Sequence, residues 1–489
     1  MADGGRDKKK GSKKSIVGFS SVKIKKCCTA LYFGVYSMMR THYVKEAREV
    51  GSKSVVTIAG WVHDVRDLGK LKFVHVRDTT GIIQVTMKKG EVPDDLLQTV
   101  AVNKEDIVTF TGTIKENKIA PDGVELVPSR FKLLNKVERK LPIDPTEKVQ
   151  SDVDTRLNFR YLDLRVQKIA SIFKIKSAAV RAFREKTSEM GFLEIHPSAI
   201  TGAATEGGAD VFQIQYFENR AYLVQSPQLY KQLAVIGGLD RVAMTVPVFR
   251  AEKHNTTTHL NEITQMDVEI GFADHNDAMD VLEEVIVHIL SSVKNSMANE
   301  AGRRILPSIP NSSAVRNELK TANAERFEIV IPKKVPRYTY SEMVEKLNAH
   351  GFRMRFGEDF SKEAEKKMSD ILGEELYFIY DWPTDIRAFY SMPSDKNPKV
   401  CHAFDLVYRG LEIASGAQRI HQAAKLEAEL KRRGLELNEF EFYLNAFRMG
   451  APPHAGWSIG LERLVMKMCN LSNIREAMLF PRDRTRVHP

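Results

Sequence analysis

The sequence predicts an α/β chain of more than one domain: a small β-barrel first, then a larger domain in which an antiparallel sheet is flanked by helices. Three observations carry this expectation. Residues 53 to 135 hold five short strand-like runs, Val55 to Val65, Leu71 to Arg77, Ile82 to Met87, Ile107 to Ile114 and Val124 to Leu133. Further on, Val242, Met244, Val246 and Val248, then Thr264, Met266, Val268 and Ile270, alternate on either side of a polar loop, as an antiparallel pair does. Helical spacing appears in Ala278 to Val293 and Thr339 to His350.

Composition narrows the class. With 489 residues, 43% hydrophobic and 28% charged, the chain is expected to fold as two or three soluble domains. A formal net charge of +10 favours an anionic partner, nucleic acid first. Some of that excess lies in the first residues, where Arg6, Lys8, Lys9, Lys10, Lys13, Lys14, Lys23, Lys25 and Lys26 face only Asp3 and Asp7. Residues 1–37 therefore read as a basic extension. The stretch from Cys27 to Met39 faintly imitates a signal peptide but has no small-residue cleavage site. Cys27, Cys28, Cys401 and Cys469 show neither metal nor disulfide spacing, which points to a reducing, cytoplasmic setting. No apolar run approaches the roughly eighteen residues of a membrane span.

Residues 38–137 come next as the barrel domain, whose five strands suggest an OB-fold. Val74 and Val76, with Ile83, Val85 and Met87, should form its core, leaving Phe73 and Gln84 on the other face. An aromatic and an amide displayed there suit base stacking and edge recognition in single-stranded RNA, although Phe73 could equally cover an ordinary edge. Residues 138–160 read as a linker interrupted by Pro142 and Pro145. The larger domain, 161–489, opens with Ile169, Ile172, Phe173, Val180 and Phe183 on one helix stripe, with Gly191 as its C-cap. Thr205-Glu206-Gly207-Gly208-Ala209 is loop-like, its glycines permitting backbone angles closed to other residues.

In the central hairpin Arg250 and Glu252 stand at the end of the first strand, which Pro247 weakens by removing a ladder donor. A cation and a carboxylate there suit phosphate and amine recognition, or pair with each other on a surface hairpin. Leu411-Glu412-Ile413-Ala414-Ser415 reads as a buried strand with one embedded carboxylate, which needs a cation or an internal salt bridge. Gly456 and Gly460 lack side chains, which would let a flat ring approach the backbone, and Arg463 opens a helix containing Leu464, Val465 and Met468.

These stretches also carry a resemblance. Phe249-Arg250-Ala251-Glu252 with His259-Leu260-Asn261-Glu262 resembles motif 2 of the class II aminoacyl-tRNA synthetases. Gly191-Phe192-Leu193-Glu194-Ile195-His196-Pro197 resembles motif 1, and Gly456-Trp457-Ser458-Ile459-Gly460-Leu461-Glu462-Arg463 resembles motif 3, apart from Trp457 and Ser458 between the glycines. Ser226-Pro227-Gln228-Leu229-Tyr230-Lys231 and Phe480-Pro481-Arg482-Asp483 are similar to aspartyl-tRNA synthetases of the archaeal and eukaryotic type. The likeness covers roughly residues 39 to 489. Met39-Arg40-Thr41-His42-Tyr43 resembles the start of archaeal relatives, so residues 1–37 are either an RNA-tracking arm or a stretch upstream of the true start; the second is the expected reading, and intact mass of the native protein decides it.

The resemblance implies ATP-dependent activation of L-aspartate and transfer to tRNA, with Mg²⁺ as cofactor and a homodimer formed through motif 1. It places Arg250 at the α-phosphate as the catalytic residue and Glu252, His259, Leu260, Glu412, Gly460, Leu461, Glu462 and Arg463 around ATP. Aspartate would meet Glu206, Gln228, Lys231, Arg250, Ser415 and Arg419, and the metal Glu412 and Ser415. Phe73 and Gln84 match its anticodon-binding positions. His63 and Pro121 match the histidine and proline of relatives that charge both tRNA-Asp and tRNA-Asn; Pro121 has no donor or polar group with which to distinguish C from U. That reading implies a partner amidotransferase converting Asp-tRNA-Asn. The alternatives are a ligase restricted to tRNA-Asp, an asparagine–tRNA ligase, an inactive RNA-binding paralogue, and a tRNA-independent amide-forming enzyme.

Overall fold

A computed structural model describes residues 39–146, 149–202, 211–253, 256–301 and 329–488. The basic extension 1–37 and Glu206 lie outside the described residues. The first five strands are β1 (Val55–Asp67), β2 (Leu71–Asp78), β3 (Gly81–Lys88), β4 (Ile107–Glu116) and β5 (Val124–Asn135), closed into a barrel in the order β1-β2-β3-β5-β4. Period-2 alternation sends Val56, Ile58, Val74, Val76, Ile83, Val85 and Met87 inward, where all are buried.

Residues 153–160, counted as linker from the sequence, include the helix Val153–Asn158, capped by Asp152. Arg160, fully buried, donates to the carbonyls of Glu476, Met478 and Leu479, fastening this stretch to the C-terminal segment. Glu105 links the barrel to the larger domain, accepting from Arg77 at 2.7 Å and from Arg165 at 3.0 Å, and Arg165 also lies over the Trp61 ring.

The larger domain contributes β6 (Leu193–Glu194), β7 (Ile200–Thr201), β8 (Gln213–Tyr216), β9 (Asn219–Leu223), β10 (Arg241–Phe249), β11 (Glu262–Gly271), β12 (Arg337–Thr339), β13 (Leu376–Pro383), β14 (Val400–Tyr408), β15 (Glu412–Gln418) and β16 (His454–Gly460). Eight of these form one sheet in the order β12-β13-β14-β15-β16-β11-β10-β6, while β7, β9 and β8 form a separate small one. The sheet is antiparallel except at its ends, where β12 runs parallel to β13 and β6 to β10. Pro247 does not end β10, because β6 pairs with that strand only at Val242 and Ala243; at Pro247 the strand is an edge.

The helices Gln167–Glu189 and His275–Ala301 share an apolar core with one sheet face. Leu282, Ile286 and Leu290 are fully buried there, each stabilising the fold by ~1.5–3 kcal/mol. Gly191, at φ +80°, stops the first helix as its sequence position predicted. Trp457 turns into this core, edge-on to Phe183.

Candidate active site

The opposite sheet face is polar, and cross-strand register explains how. Asp405, Ser415, Ser458 and Asp267 stand side by side on β14, β15, β16 and β11. The next row toward Glu269 is Ala403, Ala417, Gly456 and Glu269. Small residues in that row leave room for the one carboxylate. At Gly456 a Cβ would lie 2.1 Å from Glu269 Oε2, so glycine is required by a protein side chain as well as by any approaching ligand. At Gly460, by contrast, a Cβ would meet nothing closer than 3.8 Å.

Four charges cluster under this face. Lys231 is fully buried and donates to Asp267 Oδ1 at 2.7 Å, to the Trp457 carbonyl at 3.1 Å and to the Val268 carbonyl at 3.3 Å. Its three donors are thereby engaged, so a direct bond to a substrate carboxylate requires exchange of one. Arg419 grips Glu269 with Nε at 2.9 Å and Nη2 at 3.2 Å, leaving donors of its fork for another acceptor. Burial alone would raise the Glu269 carboxyl, but Arg419 and Lys231 outweigh it and hold the group below its ordinary range. Ser458 Oγ donates to Asp267 Oδ2 at 3.0 Å and also lines the cleft above, linking the two. Gln228 is buried one helical turn from Lys231, and its Nε2 has no hydrogen-bond partner.

The cleft is lined by Arg250, Glu252, His259, Leu260, Glu412, Ser415, Gly460, Glu462 and Arg463. Asn261 shapes its rim, donating from Nδ2 to the carbonyls of Arg250 at 2.6 Å and Glu252 at 3.0 Å. Among the described residues there is no ion pair between Arg250 and Glu252, which removes the surface-hairpin reading of that pair. Arg463 Nη1 instead donates to Glu412 Oε2 at 3.2 Å and to its carbonyl at 3.1 Å. His259 Nε2 faces Arg463 Nη2 at 3.5 Å, and its Nδ1 lies 2.6 Å from Thr256 Oγ1. Burial first and Arg463 second push its pKa down, which favours the neutral ring.

Of the residues expected around ATP, Leu461 does not line the cleft, and Glu462 lines it with both carboxylate oxygens tied to the scaffold. Leu461 is buried in the helix-side core. Glu462 is 1% exposed, with Oε1 bound by Lys176 at 2.6 Å and Oε2 by the Thr264 amide at 2.9 Å. Three carboxylates escaped the sequence reading: Asp267, Glu269 and Asp405. The signal was present, since acids at alternate positions of apolar strands mark a buried polar face. Burial raises the Asp405 pKa; Arg387 is its ion-pair partner, and its Oδ1 is buried without a hydrogen-bond partner.

On the barrel, Phe73 is half-buried and Gln84 is 9% exposed, its Nε2 donating to Thr86 Oγ1 at 3.0 Å and Glu125 Oε2 at 3.2 Å. His63 Nδ1 lies 2.9 Å from Arg77 Nη1. Because a guanidinium can only donate, Nδ1 accepts and the ring proton sits on Nε2. Burial, then Arg77, lowers this pKa to about 4. Pro121 begins the short 3₁₀ turn Pro121–Gly123 between β4 and β5.

Comparison with known proteins agrees with this architecture. Residues 56–134 match the OB-fold nucleic acid binding domain. A Pyrococcus furiosus protein named aspartate–tRNA(Asp) ligase is 45% identical over 459 residues, covering 92% of this chain and 100% of its own. A Methanothermobacter thermautotrophicus protein named aspartate–tRNA(Asp/Asn) ligase is 45% identical over 453 residues, covering 92% and 99%. Among solved structures, Pyrococcus horikoshii asparaginyl-tRNA synthetase complexed with asparaginyl-adenylate superposes with a TM-score of 0.82 at 30% identity, covering 92% of this chain and 100% of that one. With residues 152–484 matching the family described as tRNA synthetases class II (D, K and N), the chain belongs to that family.

Proposed function

We propose that the protein is an aspartate–tRNA ligase that activates L-aspartate with ATP and transfers the aspartyl group to the 3′ end of tRNA-Asp and tRNA-Asn. The carrying observation is the pair of cations, Lys231 and Arg419, anchored by Asp267 and Glu269 beneath the cleft rimmed by Arg250, Arg463 and His259. A substrate with a carboxylate side chain suits a cationic fork, whereas a neutral amide gains little from it. Arg419 presents the free donors, and Lys231 acts chiefly by keeping the two acids in register. Gln228 Nε2 is an unpaired donor suited to the amino-acid substrate.

The first step is in-line attack of the aspartate α-carboxylate on the α-phosphate of ATP, giving aspartyl-adenylate and pyrophosphate. No protein nucleophile is needed, so catalysis is positioning and charge stabilisation. Arg250 neutralises the α-phosphate, Arg463 the leaving pyrophosphate, and neutral His259 with Glu252 orients the nucleotide. A ribose hydroxyl at the tRNA 3′ end then attacks the activated carbonyl. The oxygen donors Glu412, Ser415 and Asp405 fit Mg²⁺, and the buried, unpartnered Oδ1 of Asp405 supports this. Mg²⁺ bound there would neutralise phosphate charge. The same reading assigns residues 38–137 to the anticodon and 161–489 to chemistry in a cytoplasmic homodimer. The apolar Leu193, Ile200 and Tyr216 on β6, β7 and β8 are exposed in the single chain, which supports pairing. No helix among the described residues is long and apolar enough to cross a membrane.

Charging of tRNA-Asn rests on His63 and Pro121. Cytosine and uracil share the O2 acceptor, and a donor on His63 Nε2 tolerates both. An amidotransferase would then complete Asn-tRNA-Asn. Aspartylation of separate tRNA-Asp and tRNA-Asn transcripts tests this: comparable charging is expected, and a preference for tRNA-Asp above about a hundredfold, the 1–3 kcal/mol of one good base contact, overturns it. Pyrophosphate exchange dependent on asparagine rather than aspartate would overturn the amino-acid assignment.

A further inference from the structure

On the sheet face opposite the cleft, the N-terminus of the helix His275–Ala301 meets β13 and β14. Three side chains converge there: His275 from the helix, Asp381 from β13 and His402 from β14, with one ligand atom of each lying within 4.8 Å of the others. By alternation His402 shares the face of Phe404, while Asp405 points to the cleft, so this cluster is separate from the carboxylates Asp405 and Glu412. The two imidazoles are stacked, with centroids 4.3 Å apart and planes 8° from parallel.

We propose that His275, Asp381 and His402 form a second metal site, one for a zinc-class divalent cation that clasps the start of this helix to β13 and β14. The ligand set is two imidazole nitrogens and one carboxylate, which selects Zn²⁺, Co²⁺ or their neighbours over Mg²⁺. Three protein ligands with a water in the fourth position is an ordinary zinc arrangement. With metal–ligand bonds of ~2.0–2.2 Å, ligand atoms of a tetrahedral site stand about 3.3–3.5 Å apart. His402 Nδ1 and Asp381 Oδ1 are already at 3.4 Å, and both side chains are partly exposed; the stacked rings must turn for both imidazoles to aim at one ion.

His275 supplies the independent observation. Its Nδ1 is buried without a hydrogen-bond partner. Gln418 contacts the ring and would orient it, as second-layer groups do for metal-bound histidines. The helix N-terminus is itself unfavourable for a cation. Asp274 offsets it, its Oδ1 accepting from the amides of Asn276 and Asp277 at 2.7 and 3.0 Å.

The test uses the full chain freed of metal and held in excess Mg²⁺, so that the cleft carboxylates do not compete. Co²⁺ is titrated by visible absorption and then displaced with Zn²⁺, for the natural protein and for His402→Ala, His275→Gln and Asp381→Asn. We expect a nitrogen-ligated Co²⁺ band in the natural protein, its loss in both histidine variants, weakening in Asp381→Asn, and a Zn²⁺-dependent rise in Tm that the variants lack. Asp381→Asn, altering a partly exposed side chain, keeps the test valid should a histidine variant misfold. The same Co²⁺ spectrum and Zn²⁺ stoichiometry in all four proteins, or no Zn²⁺-dependent Tm rise in the natural protein, would overturn the proposal.

Discussion

Replacing Glu269 with glutamine should damage stability and substrate recognition together. The buried cluster of Lys231, Arg419, Asp267 and Glu269 is formally neutral. The amide keeps the shape but leaves one net positive charge at a fully buried position, with Arg419 deprived of its carboxylate at 2.9 and 3.2 Å and Lys231 of one at 3.4 Å. Breaking such a pair from one side costs ~3–5 kcal/mol. Urea unfolding should therefore show a loss of that order in the free variant. With Arg419 no longer held in place, aspartate should bind more weakly, so its KM should rise and a given aspartate concentration should stabilise Glu269→Gln less than the natural protein. Stability unchanged within about 0.5 kcal/mol, the range of ordinary surface substitutions, or an aspartate effect equal in both proteins, would refute the reasoning.

Arg250→Ala should slow aspartate-dependent pyrophosphate exchange by at least about a hundredfold, roughly 3 to 4 kcal/mol by analogy with a lost oxyanion donor; near-normal exchange removes Arg250 from the α-phosphate. Gly456→Ala would place a methyl 2.1 Å from Glu269 Oε2, and should lower Tm and raise the aspartate KM, whereas Gly460→Ala, with open space, should spare Tm. His63 has a folded pKa near 4, below its ordinary 6.5, so the native state resists protonation: its stability contribution is present above the ordinary value and is lost as pH falls toward 4. The ratio of tRNA-Asn to tRNA-Asp charging should consequently stay flat between about pH 5.5 and 8, and a step near the ordinary histidine value would show that the ring is not held neutral. Pro121→Lys should selectively reduce tRNA-Asn charging in the transcript assay, and equal loss with both tRNAs would count against a discriminating position.

The barrel was legible because alternation and burial coincide there: Val74, Val76, Ile83, Val85 and Met87 lie inside, as period-2 spacing requires; the hairpin strands pair as expected, but their apolar sets fall on opposite faces, Val242 and Met244 facing the side of Glu269 and Asp267. Pro247 weakened the strand reading only because sequence does not reveal that β6 leaves β10 unpaired at that point. In the candidate site, Arg250, Glu412 and Arg463 do line one cleft, but it was their motif positions that singled them out, since each charge also had an ordinary structural reading. Glu462 and Leu461 were not separable from them by motif position, because the helix turns both toward the scaffold. The acids of β11 show why a strand must be read on both faces. Met266, Val268 and Ile270 define the core side, and the intervening Gln265, Asp267 and Glu269 look like an exposed polar edge. They are buried because β16 and β10 flank the strand and Lys231 and Arg419 reach over it. That distinction depends on partners 36 and 150 residues away, separations that no local pattern encodes. Once those partners are known, the alternation becomes informative again, since acids that are buried opposite an apolar core need paired cations such as Lys231 and Arg419.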